Sequence, residues 1–229
     1  MNRTSIAIDG PAGVGKSTIA KMLAEKLGYL YVDTGALYRS IAVFLSDRGI
    51  TPESHDEEKV KELIKDILVE IRYMDGSQHV SVNGTDVTGR LRTPDVSALA
   101  SVVSAIPAVR EKLLDLQREL AKNNDVIMDG RDIGTVVLPD ATLKLFLTAS
   151  PLVRAERRFR QLKEAGTEGN ETVESIRKEI EERDYRDSHR EVAPLKSADD
   201  AITVDSSELS KEEEIEQILS LLKEKKKRY

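Results

Sequence analysis

The residues Gly10-Pro11-Ala12-Gly13-Val14-Gly15-Lys16-Ser17 follow the pattern G-x-x-x-x-G-K-[ST]. The glycines let the backbone curl until successive N–H groups face one point, at the positive end of a helix that starts there. Phosphate oxygens are the ligand such a point attracts. Lys16 would reach the β- and γ-phosphates of a nucleotide, and the Ser17 hydroxyl would ligate Mg²⁺. The setting is the one the pattern requires, because Ser5-Ile6-Ala7-Ile8 reads as a strand and Ser17 to Lys26 as a helix. Gly10 to Ser17, with Thr18 beside them, are the candidate nucleotide-binding residues.

Such a loop identifies a nucleotide, not a reaction. A GTPase switch would also need an Asn-Lys-x-Asp base reader, which the sequence lacks, and Asp86-Val87-Thr88-Gly89 is read as a chance match to its D-x-x-G. Asp129 follows the apolar run Val126-Ile127-Met128 and is expected at a strand's carboxyl edge. It could hold a metal-bound water there, or merely open an Asp-Gly turn. Arg131 and Asp132 come next, at the edge where open α/β sheets bind ligands. Arg183, Asp187 and Arg190 are spaced four and three apart and share one helical face. Guanidinium forks could grip a phosphate there while the carboxylate meets ribose hydroxyls; a surface ion-pair helix is the plainer alternative. Arg154, Arg157, Arg158 and Arg160 invite the same two readings.

The elements that must position these groups follow from periodicity. Five short apolar runs, Ser5–Asp9, Leu30–Asp33, Asp125–Met128, Leu143–Leu147 and Ala201–Val204, read as buried strands. Helical patterns lie between them: Val109, Leu113, Leu116 and Leu120 repeat after Pro107, and Ile215, Ile218, Leu219 and Leu222 form a stripe near the end. Ser210 and Glu213 form a capping box for that last helix, and Ser150-Pro151 starts another that ends near Gly166. A further helix runs from about Thr172 to Ser188. Apolar strands alternating with helices predict an α/β fold with a parallel sheet. From Ile67 to Arg92 the period changes to alternation, with Asp75-Gly76 and Asn83-Gly84 supplying tight turns. A small antiparallel sheet is expected there, either an edge meander or a separate lobe.

Composition narrows the classes. The 229 residues hold 39% apolar side chains, enough for a core, and no cysteine, which removes disulfides, thiolate zinc sites and thiol nucleophiles. A net charge of −6, no Trp and 4% aromatics speak against nucleic-acid binding. No apolar run is long enough to span a membrane and no signal-peptide pattern opens the chain, so a cytoplasmic protein with no membrane partner is expected. His55, His79 and His189 are scattered without metal spacing. The run Lys223 to Arg228 is most simply a helix end whose cations complement the macrodipole.

Over nearly its full length the sequence resembles the bacterial cytidylate kinases, among the nucleoside monophosphate kinases. The resemblance is carried by Ile8-Asp9-Gly10-Pro11 leading into the loop, and by Asp33-Thr34-Gly35-Ala36-Leu37-Tyr38-Arg39. It continues through Asp129-Gly130-Arg131-Asp132-Ile133-Gly134-Thr135-Val136-Val137, Glu182-Arg183-Asp184-Tyr185-Arg186-Asp187 and Val192-Ala193-Pro194-Leu195. It implies a P-loop three-layer fold with a five-stranded parallel sheet, a monophosphate-binding insertion and a helical lid. The implied division is one kinase domain over 1–229, with core 1–60, 106–153 and 191–229, insertion 61–105, and lid with its following helix over 154–190. It implies ATP as donor, Mg²⁺ held by Ser17 and, through water, Asp129, and CMP or dCMP as acceptor, with a monomer as the default. By the same resemblance Arg39, Arg131 and Arg190 would hold the acceptor's phosphate. Ser101, Arg110 and Asp132 would read cytosine, with Thr34 nearby, and Arg183 and Asp187 would meet the sugar. Arg157 and Arg158 would close over the ATP phosphates, so that Lys16, Arg131, Arg157, Arg158 and Arg190 form the expected catalytic set. Thr34 stands where some members carry Ser, and Ser17 where some carry Gly. A kinase for another small acceptor, or a non-catalytic nucleotide-gated protein, is the alternative.

Overall fold

A computed structural model of the chain describes residues 3–74 and 76–227. In chain order the elements begin with β1 (Ser5–Asp9), α1 (Lys16–Leu27), β2 (Leu30–Asp33), α2 (Thr34–Ser46) and α3 (Glu57–Ile64). There follow β3 (Val69–Met74), β4 (Ser77–Val82), β5 (Thr85–Asp86), α4 (Pro94–Val103) and α5 (Pro107–Asn123). The chain then runs through β6 (Val126–Gly130), β7 (Leu143–Thr148), α6 (Pro151–Glu164), α7 (Val173–His189), β8 (Ile202–Asp205) and α8 (Lys211–Lys226). These elements form two compact units, one of residues up to 31 and from 124 onward, the other of residues 32–123.

The first unit is built on the parallel sheet, whose strand order is β2-β6-β1-β7-β8. The ladder sets Ile8 opposite Asp129 and Leu145, and Asp9 opposite Gly130. The carboxyl ends of β1 and β6 therefore lie side by side. Ile6, Ile8, Ile127, Leu145 and Leu147 pack with Ile19 and Leu23 of α1 and with Ile215, Ile218 and Leu222 of α8. Each of these buried side chains contributes about 1.5–3 kcal/mol, which holds the rigid edge from which the loops project. The expected caps are present. Ser150 Oγ accepts from Val153 N–H ahead of α6, and Ser210 and Glu213 form the capping box of α8. Thr172 forms a second box with Ser175 at the start of α7. A small cluster of Ala155, Ile176 and Ile180 joins α6 to α7.

The second unit surrounds α2, whose Leu37, Ile41 and Leu45 are fully buried with Leu99 of α4 and Leu113 of α5. It also carries β3, β4 and β5, an antiparallel sheet that shares no strand with the parallel one. The Ile67–Arg92 segment thus forms a sheet of its own and not an edge meander of the parallel sheet. Asn83 (φ 50) and Gly84 (φ 78) make its second turn, with Val82 paired to Thr85, because a two-residue hairpin of this twist needs positive φ at both positions. Gly76 (φ 73) lies in the first turn, whose Asp75 is outside the described residues. At the end of the chain, Lys226 donates to the Tyr29 hydroxyl at 2.7 Å, and Arg228 of the basic run falls outside the described residues. Among the described residues no helix is long and apolar enough to cross a membrane.

Candidate active site

Gly10 to Ser17 connect β1 to the first turn of α1, in which Thr18 N–H returns to Gly15 O at 3.0 Å. Gly10 (φ 149) passes so close to β7 that a Cβ there would sit 2.3 Å from Leu147 O. Lys16 is buried, and its ammonium donates to Gly10 O at 2.8 Å and Pro11 O at 2.7 Å, bracing the loop from inside. Burial, and after it the Arg131 guanidinium, push the Lys16 pKa well below that of an ordinary lysine, while Asp129 and Asp9 oppose them. A cation so held gains most from the one thing that would neutralise its surroundings, a polyanion in the loop.

Asp129 ends β6 and is buried. Its Oδ2 accepts from Ser17 Oγ and its Oδ1 from Tyr31 Oη, both at 2.8 Å. A hydroxyl beside a carboxylate is a pair of hard oxygen donors. It suits Mg²⁺, which takes one or two protein oxygens and keeps water and phosphate for the rest. Among the described residues no three His, Cys, Asp or Glu converge to hold a metal by themselves. His79 bonds Asp86 at 3.0 Å and His189 stacks on Tyr185 at 4.0 Å, so these two are engaged elsewhere.

The arginine-rich stretch divides by environment. Arg131 Nε donates to Asp187 Oδ2 at 2.8 Å, and both side chains are largely buried. Burial works to raise the Asp187 pKa, but Arg131, Arg183 and Arg190 outweigh it and hold the carboxyl below its usual value. Arg190 caps α7, lies 3.5 Å from Asp132 and donates to Ala193 O at 2.6 Å. Arg131, Asp132, Arg183, Asp187 and Arg190 are therefore one network of two ion pairs and an added guanidinium. Arg154 is buried and bonds backbone carbonyls and Asp184. Arg157 donates to Ser206 O and Oγ, whereas Arg158 and Arg160 are exposed.

The remaining expected residues lie in the second unit. Asp33 caps α2 through Ala36 N–H and receives both contacts of Arg39 Nη2, at 3.2 and 2.9 Å. Gln78 of β4 brackets the Asp33 backbone, and Thr34 is buried. Arg110 donates to Ser104 O at 3.1 Å and lies over the Tyr38 ring at 5.5 Å. Ser101 Oγ is buried with no hydrogen-bond partner among the described residues, an unmet group that a polar ligand would satisfy.

Two contributors escape spacing arguments. Asp9 is buried and accepts Ile133 N–H at 2.8 Å and Gly134 N–H at 2.7 Å, holding the turn that follows Arg131 and Asp132. Burial pushes its pKa up to about 6 against those two hydrogen bonds. Tyr31, the second residue of β2, is the other, and a phenol hydroxyl inside an otherwise apolar run was its only sign.

The loop, its inward lysine and the hydroxyl–carboxylate pair place the chain among the P-loop nucleotide-binding proteins, and the guanidinium network narrows this to the phosphotransferases. Comparison with known proteins names the group. The family model described as cytidylate kinase matches residues 6–224. The chain is 51% identical over 221 residues to the cytidylate kinase of Caldicellulosiruptor saccharolyticus, covering 96% of each chain. It is 47% identical over 222 residues to that of Lactobacillus johnsonii, covering 97% of this chain and 95% of the relative. A crystal structure of an uncharacterized protein from Eubacterium ventriosum shares the fold, with TM-score 0.54 at 12% identity, over 97% of this chain and 99% of that one. This chain belongs to the cytidylate kinase family.

Proposed function

We propose that the chain transfers the γ-phosphoryl group of ATP to CMP or dCMP, giving ADP and the pyrimidine diphosphate, in the cytoplasm. The observation that carries the reading is the convergence at one sheet edge of the phosphate loop and the Arg131–Asp187 and Arg190–Asp132 pairs, in a chain of this family. An acceptor phosphate oxygen attacks the γ-phosphorus and the bond to the β–γ bridging oxygen breaks. The acceptor is already an oxyanion at neutral pH, so no general base is required. Catalysis then rests on positioning and charge neutralisation.

Lys16 meets the donor phosphates, and loop N–H groups from Gly10 to Thr18 line the cradle. Arg39, Arg131 and Arg190 hold the acceptor phosphate; Ser101, Arg110, Asp132 and Thr34 select the base; Arg183 and Asp187 take the sugar. Arg157 and Arg158 close from the lid, 154–190, while residues 61–105 serve as the monophosphate-binding insertion. Ser17 and, through water, Asp129 would hold Mg²⁺, which when bound neutralises charge on the phosphate oxygens. Two bound arginine–aspartate pairs let each guanidinium exchange part of its carboxylate contact for a phosphate oxygen without leaving a buried cation alone.

The test is ADP release from Mg-ATP with CMP, dCMP, UMP and AMP supplied in parallel. Turnover confined to CMP and dCMP is expected. ATP binding with no acceptor-dependent ADP release would overturn the reading, and fast turnover with AMP would refute the base assignment.

A further inference from the structure

Ala12, in the middle of the phosphate loop, is held by both of its backbone groups. Its N–H donates to Asp184 Oδ1 at 3.0 Å and its carbonyl accepts from Arg154 Nη1 at 2.8 Å. Arg154 also bonds Asp184 Oδ2, closing a three-member ring, and its Nε bonds Ala149 O at 3.0 Å. The Arg154 side chain is 5% exposed and that of Asp184 19%. Where a Cβ would stand on Gly13, the nearest atoms are Arg154 Cβ and Ile180 Cδ1, each at 3.6 Å. One backbone position, Ala12, is thus gripped by α6 through Arg154 and by α7 through Asp184, and the next residue rests on both helices.

We infer that Asp184 and Arg154 are positioning residues that preform the phosphate loop for the donor. The inference rests on the proposed ATP-dependent reading and adds to it two residues that need touch neither substrate. The N–H groups of the following loop residues can converge on phosphate only if the loop's entry is fixed, and here the fixing comes from the lid helix and its successor rather than from the loop's own glycines. Asp184 lies one helical step from Asp187, which pairs with Arg131. The helix that grips the donor loop therefore also carries part of the guanidinium network. A loop that must be ordered at each binding event binds more weakly than one already ordered, and the penalty falls on the ligand it cradles.

The experiment compares wild type, Asp184→Asn and the paired variant Arg154→Met with Asp184→Leu. Mg-ATP affinity is measured by calorimetry without acceptor, alongside KM for ATP and CMP and thermal melting. The paired variant removes the buried charges together, so no unpaired charge remains, while Ala12 loses both partners and Tm should fall by several degrees without loss of cooperative melting. Asp184→Asn and the paired variant are each expected to weaken Mg-ATP binding and raise the ATP KM about tenfold, with the CMP KM within twofold of wild type. A paired variant with wild-type ATP affinity would overturn the inference, as would equal rises in both KM values. If Asp184→Asn fails to fold, the paired variant carries the decision. Wild type that binds ATP but does not phosphorylate CMP would sink the proposed function alone, because the calorimetry still tests the clamp.

Discussion

Glu214 stands in the first turn of α8 with its Oε1 buried and without a hydrogen-bond partner among the described residues. Burial raises its pKa from the ordinary 4.5 to about 7, with the Arg157 charge a partial offset. The folded state therefore prefers the neutral acid. The group's contribution to stability is intact below about 4.5, declines as pH rises, and becomes a full cost once pH passes about 7. A 2.5-unit difference, from 4.5 to about 7, corresponds to about 3 kcal/mol at 1.36 kcal/mol per unit. The carboxylate lies near the core boundary on a helix with exposed neighbours, so screening and relaxation reduce this to about 1–2 kcal/mol. Glu214→Gln keeps the shape and removes the charge. In a domain of this size each kcal/mol moves Tm by about 2–4 °C, so at pH 8 the variant should melt roughly 2–8 °C above wild type. At pH 5, just above the unfolded-state value of 4.5, that advantage should shrink to roughly a quarter. Asp9, whose pKa is about 6, titrates in the same window but is common to both proteins and cancels. Any fixed cost of burying the amide also cancels between the two pH values. An equal Tm difference at pH 5 and pH 8 would refute the reasoning.

Three further outcomes are expected. Lys16→Met should lower kcat at least about 100-fold, as loss of a preorganised charge does, while the melting curve stays cooperative; near-normal turnover would dismiss the loop assignment. Asp132→Ala should lower the CMP-to-UMP ratio of kcat/KM by about tenfold, the scale of a lost buried polar contact, and an unchanged ratio would remove Asp132 from base selection. Gly10→Ala forces a Cβ to within 2.3 Å of Leu147 O at φ 149, so it should cost about 1–3 kcal/mol and lower Tm measurably. A Tm equal to wild type would show that β7 yields at that point.

What could be read from the sequence was local. A Ser-Pro pair, a Ser-x-x-Glu box and an Asn-Gly dipeptide each set a backbone geometry within four residues. Helix starts at Pro151 and Lys211 and the turn at Asn83-Gly84 accordingly fall where spacing puts them. The five strands are recovered to within one or two residues for the same reason, since β1, β6 and β7 are nearly continuous buried runs. The phosphate loop is also local. The partners of its residues are not: Ser17 meets Asp129 across 112 positions and Ala12 meets Asp184 across 172. Nothing in residue type at Asp184 distinguishes it from Asp187 three positions on, although one holds a backbone N–H and the other a guanidinium.

The four arginines from 154 to 160 show why spacing alone could not rank them. A helical face gives each a direction, but the energy of a guanidinium depends on what the direction meets. Arg154 points inward, and a buried cation is tolerable there only because two carbonyls and a carboxylate receive it. Removing any of those partners leaves a charge without compensation, which makes Arg154 a fixed part of the framework. Arg157 spends its fork on Ser206, half-way between wall and solvent. Arg158 and Arg160 remain in water, where swinging toward an incoming anion costs little beyond rotamer freedom. Within one helix the sequence thus supplies both an anchor and mobile cations of the same residue type. The anchored one braces the phosphate loop, and Arg158 and Arg160 are the members whose reorientation toward an anion would cost least.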